Sequence, residues 1–357
     1  MKHFLSSIFV IALLCAVSPA HAEFRAGLGV RSVTPDTLMP ISGGTGAPAL
    51  SKGFKGVLEV RALVVEQGNT RAAIVSVPYI GFPRVLGDRI RAQVKSIPAS
   101  NIMIGSTHTH SGPETYAFPD GKGGTFADLN YIDWACDEIA KAIEEGVTNL
   151  QQASVKIATG EAAEKIAYNY YAPQLYDRRA NIMQFLDKDN NSFITLVNYA
   201  VHPEVLGTKS GYMSPDLIGP LCDRIEELGG GQGIFMNGAQ GGMVTADTRR
   251  GNDGKESNTW EECIRIGNLL AEESLRIVKD APVQKNPPLA VFEKEIVYPV
   301  ESEMMMAIIK YSPLNYPISE DNTISTMTNV VNLGTAQMLT IPGEALPNIG
   351  FYLKRNM

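Results

Sequence analysis

Strand-length apolar segments alternate with helical patterns along this chain, and this alternation restricts the fold more than any other feature. Residues 58–66 and 71–79 predict two strands around Gly68-Asn69, which is a hairpin signal. Residues 84–97 predict a helix, and residues 101–106 predict a short buried strand. Strands and helices that alternate in this way predict an α/β fold, a layered domain with a mixed β-sheet and flanking helices.

The same alternation continues toward the C-terminus. Apolar residues from Ile132 to Ile143 recur at helical spacing, and Gly146 is the natural end of that helix. Thr259 and Glu262 form a capping box at the start of a long helix. The other predicted elements are strands at 182–186, 193–199, 234–236, 289–297 and 330–341 and helices at 217–228 and 345–354. The sequence shows no internal repeat.

Residues 1–22 predict a cleavable secretory signal peptide. Lys2 gives a positive start, residues 4–17 are almost wholly apolar, and Ala20-His21-Ala22 is a small-x-small cleavage site. The apolar core is too short to span a membrane, and the alternative is an uncleaved N-terminal anchor. We therefore expect a secreted or periplasmic protein, cut after Ala22, whose single domain at 23–357 has no transmembrane span and allows peripheral contact with a lipid surface.

Charge and cysteine content exclude some classes of protein. The predicted signal peptide carries one lysine and no acid, so its removal changes the net charge from −7 to −8. This mild acidity argues against a nucleic-acid partner, because nucleic-acid binders show a clustered basic face. Cys136, Cys222 and Cys263 remain, and an odd number spread so widely is no disulfide framework. We expect buried thiols, with one disulfide as the alternative in an oxidising compartment.

The histidines are few, and each one beyond the signal peptide stands where an apolar strand ends. His108 and His110 follow the predicted strand at 101–106, and His202 follows the predicted strand at 193–199. Residues i and i+2 of a strand point to one face, so His108 and His110 would meet at one point of the sheet edge. This spacing favours a metal site, and a hydrogen-bonded pair of histidines is the alternative.

A carboxylate would complete such a site. Catalytic zinc usually takes three protein ligands, brought together from different strands, and one water molecule. Glu344 suits this role because it follows a long apolar strand and precedes a predicted helix. The alternative is an ordinary acid favoured by the dipole at the N-terminus of a helix.

A glycine-rich stretch from Asn237 to Gly242 follows the predicted strand at 234–236. It lacks the Lys-Ser/Thr pair of a phosphate-binding loop. One interpretation is a tight turn where backbone comes close to a ligand and free N–H groups face a developing oxyanion. An ordinary glycine turn is the equal alternative.

Taken together, these segments resemble the N-terminal catalytic domain of the neutral/alkaline non-lysosomal ceramidase family. The most specific match is Thr107-His108-Thr109-His110-Ser111-Gly112-Pro113, which is similar to the family's hallmark. The resemblance runs through nearly all of residues 23–357. The other segments that match, in the family's order, are Ala26-Gly27-Leu28-Gly29-Val30, Val33-Thr34-Pro35, Ala200-Val201-His202-Pro203, Ser214-Pro215-Asp216 and Pro342-Gly343-Glu344.

The resemblance implies roles for individual residues. In the family the first hallmark histidine, the later lone histidine and the Pro-Gly-Glu glutamate bind zinc, which implies that His108, His202 and Glu344 are ligands of Zn²⁺. The second hallmark histidine lies beside the substrate, which implies a catalytic role for His110. The implied reaction is hydrolysis of the ceramide amide to sphingosine and a fatty acid. Zinc activates bound water, and a neighbouring histidine can transfer protons or stabilise the oxyanion.

The chain departs from the family at three places. Gly242 stands where the family has a serine, so we expect attack by metal-activated water and no serine nucleophile. Tyr170 follows Asn169 where the family has an arginine that meets the substrate, so recognition of the head group is expected to differ. Tyr170, Asn237 and Gly242 are accordingly the predicted substrate-binding residues. The family's tyrosine ligand beyond Glu344 and its C-terminal immunoglobulin-like domain are expected to be absent.

The leading hypothesis is therefore a zinc-dependent amidase that acts on ceramide or a related N-acyl lipid. One alternative is a zinc hydrolase for another amide or ester, with a changed pocket. A second alternative is a truncated, inactive homologue that only binds an amphiphile. Zinc content and turnover on a panel of N-acyl substrates would separate the three.

Overall fold

The fold is described from a computed structural model, which covers residues 23–44, 46–250 and 254–357. The predicted signal peptide lies outside these residues. Within them, no helix has both the length and the apolar character that a membrane crossing requires.

The described residues form strands, helices and two short 3₁₀ turns. The strands are β1 (Arg25–Ser32), β2 (Pro40–Ser42), β3 (Ala49–Leu50), β4 (Gly53–Phe54), β5 (Glu59–Gln67), β6 (Thr70–Val77), β7 (Ile102–Ser106), β8 (Gly112–Pro113), β9 (Gln151–Gln152), β10 (Ser154–Glu161), β11 (Ala167–Asn169), β12 (Arg179–Leu186), β13 (Ser192–Tyr199), β14 (Tyr212–Met213), β15 (Gln232–Asn237), β16 (Val244–Ala246), β17 (Val283–Gln284), β18 (Leu289–Pro299), β19 (Thr323–Leu333) and β20 (Ala336–Leu339). The helices are α1 (Arg84–Gln93), α2 (Leu129–Thr148), α3 (Ile218–Glu227), α4 (Trp260–Val278), α5 (Glu303–Tyr311) and α6 (Pro347–Asn356).

Two five-stranded sheets share one topology. Their strand orders are β7-β6-β5-β1-β9 and β15-β13-β12-β10-β17. Within each sheet these neighbours pair antiparallel, except for one parallel pair at the edge. A helix connects the two strands of each parallel pair: α1 joins β6 to β7, and α3 joins β13 to β15. The two halves therefore repeat the same order of elements, although the sequence shows no repeat. The predicted α/β class with a mixed sheet and flanking helices is confirmed.

The two sheets pack face to face and carry helices on their outer faces. Leu63 and Val65 of β5 lie in a buried cluster with residues of both sheets, whereas Val64 lies in the cluster that includes α1 and α2. In the second sheet, Leu196 lies in the cluster between the sheets and Val197 in the cluster with α3 and α4. Successive strand residues point to opposite faces, so a strand that is buried on both faces needs a continuous apolar sequence.

Several predicted element ends differ from the structure by one or more residues. Gly146 does not end a helix: α2 continues to Thr148, and a Cβ at Gly146 would lie 2.8 Å from the Ala62 carbonyl oxygen of the sheet below. The predicted strand at 330–341 is instead the hairpin of β19 and β20, which turns at Gly334 with φ of 56°. Helix α1 ends at Gln93 because Val94 is extended.

Other expectations agree with the structure. The Thr259 side chain accepts a hydrogen bond from the Glu262 backbone N–H, which confirms it as the cap of α4. Cys136, Cys222 and Cys263 are buried free thiols. Burial raises the pKa of each of these thiols, which keeps them protonated.

The ends of the two parallel strand pairs come together between the sheets. The Ser76 hydroxyl on β6 donates to the Phe235 carbonyl on β15 at 2.6 Å. Beyond the strand ends, the Asn237 side-chain amide donates to the Thr107 carbonyl at 3.0 Å. Carboxyl ends of parallel strands are the usual location of sites in α/β folds.

Candidate metal centre

His108 lies in the loop after β7 and has left-handed backbone, with φ of 70°. The prediction that His108 and His110 project from one face of a strand is therefore wrong, because β7 ends at Ser106. Backbone hydrogen bonds hold the loop instead: the His108 N–H donates to the Tyr79 carbonyl, and the His110 N–H donates to the Pro203 carbonyl, both at 3.0 Å. Left-handed backbone outside glycine costs about 1–3 kcal/mol and concentrates at functional sites.

Each of the three imidazoles is oriented by a backbone carbonyl. The Nδ1 atoms of His108, His110 and His202 donate to the carbonyls of Ile80, Gly43 and Val244, at 2.5, 2.9 and 3.0 Å respectively. A carbonyl oxygen can only accept, so the proton of each neutral ring lies on Nδ1. All three Nε2 atoms then present a lone pair, which is the tautomer that binds a metal ion.

The three rings converge on one point. Their ligand atoms all lie within 4.8 Å of one another, so the cluster could hold a metal ion. The Nε2 atoms of His108 and His110 are 3.2 Å apart. Since both Nδ1 atoms carry the proton, two lone pairs face each other across this distance in the neutral form. A cation bound at His108 Nε2 would offset that repulsion, so the donor set fits a metal ion.

Glu344 completes the cluster from the far end of the chain. Its Oε1 lies 3.4 Å from His108 Nε2, and its Oε2 lies 3.3 Å from His202 Nε2. Tetrahedral ligands at zinc distances of about 2.0–2.1 Å are separated by about 3.3–3.4 Å. The structure thus brings together all four predicted residues, the three histidines buried or nearly so and the Glu344 side chain 51% exposed.

The three histidines differ in the direction in which their surroundings shift the pKa. Burial and the neighbouring imidazoles lower the pKa of His110 to about 3, and burial also lowers the pKa of His108. Burial opposes the charged form of His202 too, but Glu344, Glu204 and the Val244 carbonyl together outweigh it, and the pKa of His202 is raised. Protonated His202, hydrogen-bonded to Glu344, lowers the pKa of Glu344 to about 2. The carboxylate therefore stays ionised, and a metal ion bound at the cluster would replace the His202 Nε2 proton as its partner.

Glu204 belongs to this site and was missed by the sequence reasoning. Its Oε2 lies 3.6 Å from His110 Nδ1, and its side chain is 19% exposed. Burial raises the pKa of Glu204, while His202 and a hydrogen bond with Thr245 lower it. The sequence signal that could have identified Glu204 is its position, two residues after a lone histidine at the end of a strand.

Tyr116 is a second residue that the sequence reasoning missed. A Cβ at Gly81 would collide with the Tyr116 hydroxyl, and Gly81 directly follows Ile80, whose carbonyl orients His108. Burial, with Glu344 and Glu114 nearby, raises the pKa of Tyr116 to about 12. The phenol therefore stays protonated at neutral pH and is a hydrogen-bond donor close to the cluster.

The Asn237 side chain joins the strand ends that carry the site. Its amide donates to the carbonyls of Thr107 and Val201, at 3.0 and 2.8 Å. Its Oδ1 accepts the backbone N–H of Gly238 at 2.9 Å. These bonds fix the two loops that carry His108 and His202, and the substrate contact assigned to Asn237 remains a prediction.

The glycine-rich turn supports the loop of Glu344. The Gly241 N–H donates to the Ala345 carbonyl at 2.9 Å, and a Cβ at Gly241 would lie 2.5 Å from the Glu344 carbonyl oxygen. Gly242 has φ of 72° and faces Leu346. Only glycine allows this close backbone approach, so the turn positions the carboxylate. The substrate contact assigned to Gly242 also remains a prediction.

Tyr170 lies at the surface beside the centre. Its backbone N–H donates to the Met243 carbonyl at 2.8 Å, and its side chain is 57% exposed. The Tyr170 side chain lines a cavity of about 420 Å³ with five other residues. The substrate contact assigned to Tyr170 remains a prediction.

Comparisons with known proteins show where else this fold occurs. No protein-family model and no curated protein sequence matches the chain. Solved structures do match, among them the neutral ceramidase from Pseudomonas aeruginosa, with a TM-score of 0.76, and a ceramidase complexed with C2, with a TM-score of 0.75. Each is 14% identical, and each match covers 94% of this chain but only 64% and 65% of the respective structure. This chain has the neutral ceramidase fold, which confirms the resemblance at the level of the fold.

Proposed function

We propose that this chain is a secreted or periplasmic zinc-dependent amide hydrolase, which cleaves ceramide or a related N-acyl lipid to a sphingoid base and a fatty acid. The observation that carries the proposal is the convergence of three Nε2 lone pairs and one carboxylate on a single point. The fold shared with neutral ceramidases supports the reaction class and the lipid substrate. We take residues 23–357 as one catalytic domain.

The proposed ligands are His108, His202 and Glu344. Each imidazole is locked by its Nδ1 bond to a carbonyl, so little rotamer entropy is lost on binding. A catalytic zinc site usually has three protein ligands, drawn from imidazoles and carboxylates, and one open position. When bound, zinc lowers the pKa of its water and polarises the substrate carbonyl.

His110 and Glu204 are the proposed proton-transfer pair. The lowered pKa keeps His110 neutral at working pH, so its Nε2 can accept a proton from the attacking water and return it to the leaving amine. Glu204 lies 3.6 Å from the opposite ring nitrogen, where its carboxylate stabilises the imidazolium that forms. Tyr170, Asn237 and Gly242 are the proposed substrate contacts, and no serine nucleophile is required.

Metal analysis tests the proposal. The purified protein should carry about one zinc per chain, and His108→Ala and His202→Ala should each lose most of it. Undiminished zinc in both variants would exclude the site. Turnover on a panel of N-acyl substrates then separates the ceramidase proposal from the two alternatives: a hydrolase of other amides or esters cleaves other members of the panel, and an inactive lipid-binding homologue cleaves none.

A further inference from the structure

A polar cavity of about 420 Å³ lies beside the proposed metal centre. Four of its six lining residues carry polar side-chain groups. The lining residues are Tyr168, Tyr170, Pro173, Arg249, Gly254 and Glu256.

Backbone pairing places this cavity within reach of the cluster. Thr245 is bridged to His202 on one side and is paired with Tyr168 on the other. Neighbouring strands lie about 4.8 Å apart, so the backbone of Tyr168 lies about 10 Å from that of His202. Glu204 follows His202 by two residues, and its Oε2 lies 3.6 Å from His110 Nδ1 on the same side of the cluster. A substrate held at the cluster can therefore extend into the cavity.

Arg249 is fixed in the wall of the cavity. Its Nε and Nη2 donate to the two carboxylate oxygens of Asp247, at 2.8 and 2.9 Å, and its guanidinium lies 3.5 Å from the centre of the Tyr168 ring. Its Nη1 has no hydrogen-bond partner in the described part of the chain. Because Asp247 balances the charge of Arg249, the Nη1 group of Arg249 offers a directional hydrogen-bond donor to a neutral ligand.

Glu256 and two tyrosines supply the complementary groups. The Oε1 atom of Glu256 accepts the Tyr168 hydroxyl at 2.6 Å, and the Glu256 side chain is exposed. Tyr170 presents an exposed ring. A fixed donor, a carboxylate acceptor and an open aromatic face suit a ring that has hydroxyl groups on its edge and C–H groups on its face. An alkyl chain in the same place would remove water from Arg249 and Glu256 without replacing their hydrogen bonds, which costs free energy.

We infer that the cavity binds a polyhydroxylated part of the substrate, of about monosaccharide size, on one side of the scissile amide. The connection to an amide rests on the proposed function, whereas the binding of the hydroxylated group does not. The inferred substrate class is thus an N-acyl compound with a sugar-like group, and the cavity is not the place of an acyl chain.

Direct binding of two probes tests this inference. N-acetylglucosamine and N-hexylacetamide share the acetamide group and differ in whether the amine side is hydroxylated or apolar. Binding of each is measured by ligand-observed NMR on the zinc-loaded protein, on Glu256→Ala, and on the control Glu320→Ala, which alters an exposed glutamate in the turn before β19. We expect preference for the amino sugar and a loss of its affinity of about 10-fold or more in Glu256→Ala only, because hydrogen bonds to charged groups have this strength.

The outcomes separate the inference from the proposed function. Equal binding of the two probes, no binding of the amino sugar, or an unchanged affinity in Glu256→Ala would overturn the inference. An equal loss in Glu320→Ala would do so as well. If the amino sugar binds as expected but no amide of either kind is hydrolysed, the subsite stands and the proposed hydrolase activity fails.

Discussion

At the scale of single residues, His110 is held in the same way as the two histidines assigned to the metal. Its Nδ1 donates to a backbone carbonyl and its Nε2 faces His108 at 3.2 Å. We expect His110→Ala to retain zinc and to lose turnover by roughly 100-fold or more, because a catalytic zinc keeps one position open and a nearby base contributes that much. Zinc per chain by elemental analysis and turnover of a fluorescent short-chain ceramide measure the two quantities.

The paired measurement distinguishes three roles for this side chain. Loss of zinc in His110→Ala would mean that His110 is a ligand and that the assignment to the metal is wrong. Unchanged zinc and unchanged rate would mean that His110 is structural. Retained zinc with a reduced rate is the result that the proposal requires.

Glu114 gives a pH dependence that is independent of the metal. Burial raises the pKa of this carboxyl from 4.5 to about 6, although the backbone N–H groups of Tyr116 and Phe118 donate to it. The folded protein then holds a proton that the unfolded chain releases, so Glu114 favours folding below pH 4.5 and this contribution is lost as the pH rises through about 6. The free energy of unfolding of the natural protein should fall by about 2 kcal/mol more than that of Glu114→Gln across this interval. Denaturant unfolding at several pH values measures the difference, and parallel pH profiles of the two proteins would contradict it.

At the scale of elements, close packing of α2 against β1 depends on glycine. A Cβ at Gly29 of β1 would collide with the Ala142 carbonyl and would lie 2.8 Å from the Gly146 nitrogen, both in α2. Backbone atoms cannot rotate away, so Gly29→Ala should lower the free energy of unfolding by about 2 kcal/mol or more. Gly46→Ala is the matched control, because nothing lies within 4 Å of its added Cβ. Equal stability of the two variants in urea would contradict this account of the interface.

At the scale of the whole molecule, the proposed metal would join three parts of the chain. His108 follows a strand of the first sheet, His202 follows a strand of the second, and Glu344 lies between β20 and α6. Zinc that binds only the folded state should stabilise it by about 2.7 kcal/mol at 100 times the dissociation constant. Thermal unfolding of metal-free protein with added zinc should therefore show a rising midpoint, which His202→Ala abolishes and His110→Ala keeps. The same rise in His202→Ala would show that zinc binds elsewhere.

Local sequence patterns were sufficient for much of this protein. Apolar runs predicted six strands of the two sheets, β5, β6, β7, β12, β13 and β15, because a strand buried on two faces needs apolar side chains at every position. They did not predict β1, β9, β10 and β17. The cap at Thr259 was predicted because it depends on residues only three apart. The four candidate residues of the centre came from the scarcity of histidine and from a resemblance that the shared fold confirms.

Tertiary structure decided what depends on residues far apart in the chain. The repeated topology of the two halves leaves no trace in the sequence, because different side chains can fill the same layers. Gly146 was expected to end a helix and instead packs against a sheet that sequence spacing does not reveal. The histidines converge through left-handed backbone and through carbonyls of distant loops, so strand periodicity gave the wrong reason for their meeting. Glu204 and the polar cavity likewise arise only where the ends of separate strands come together, since proximity in space is fixed by packing and not by position in the chain.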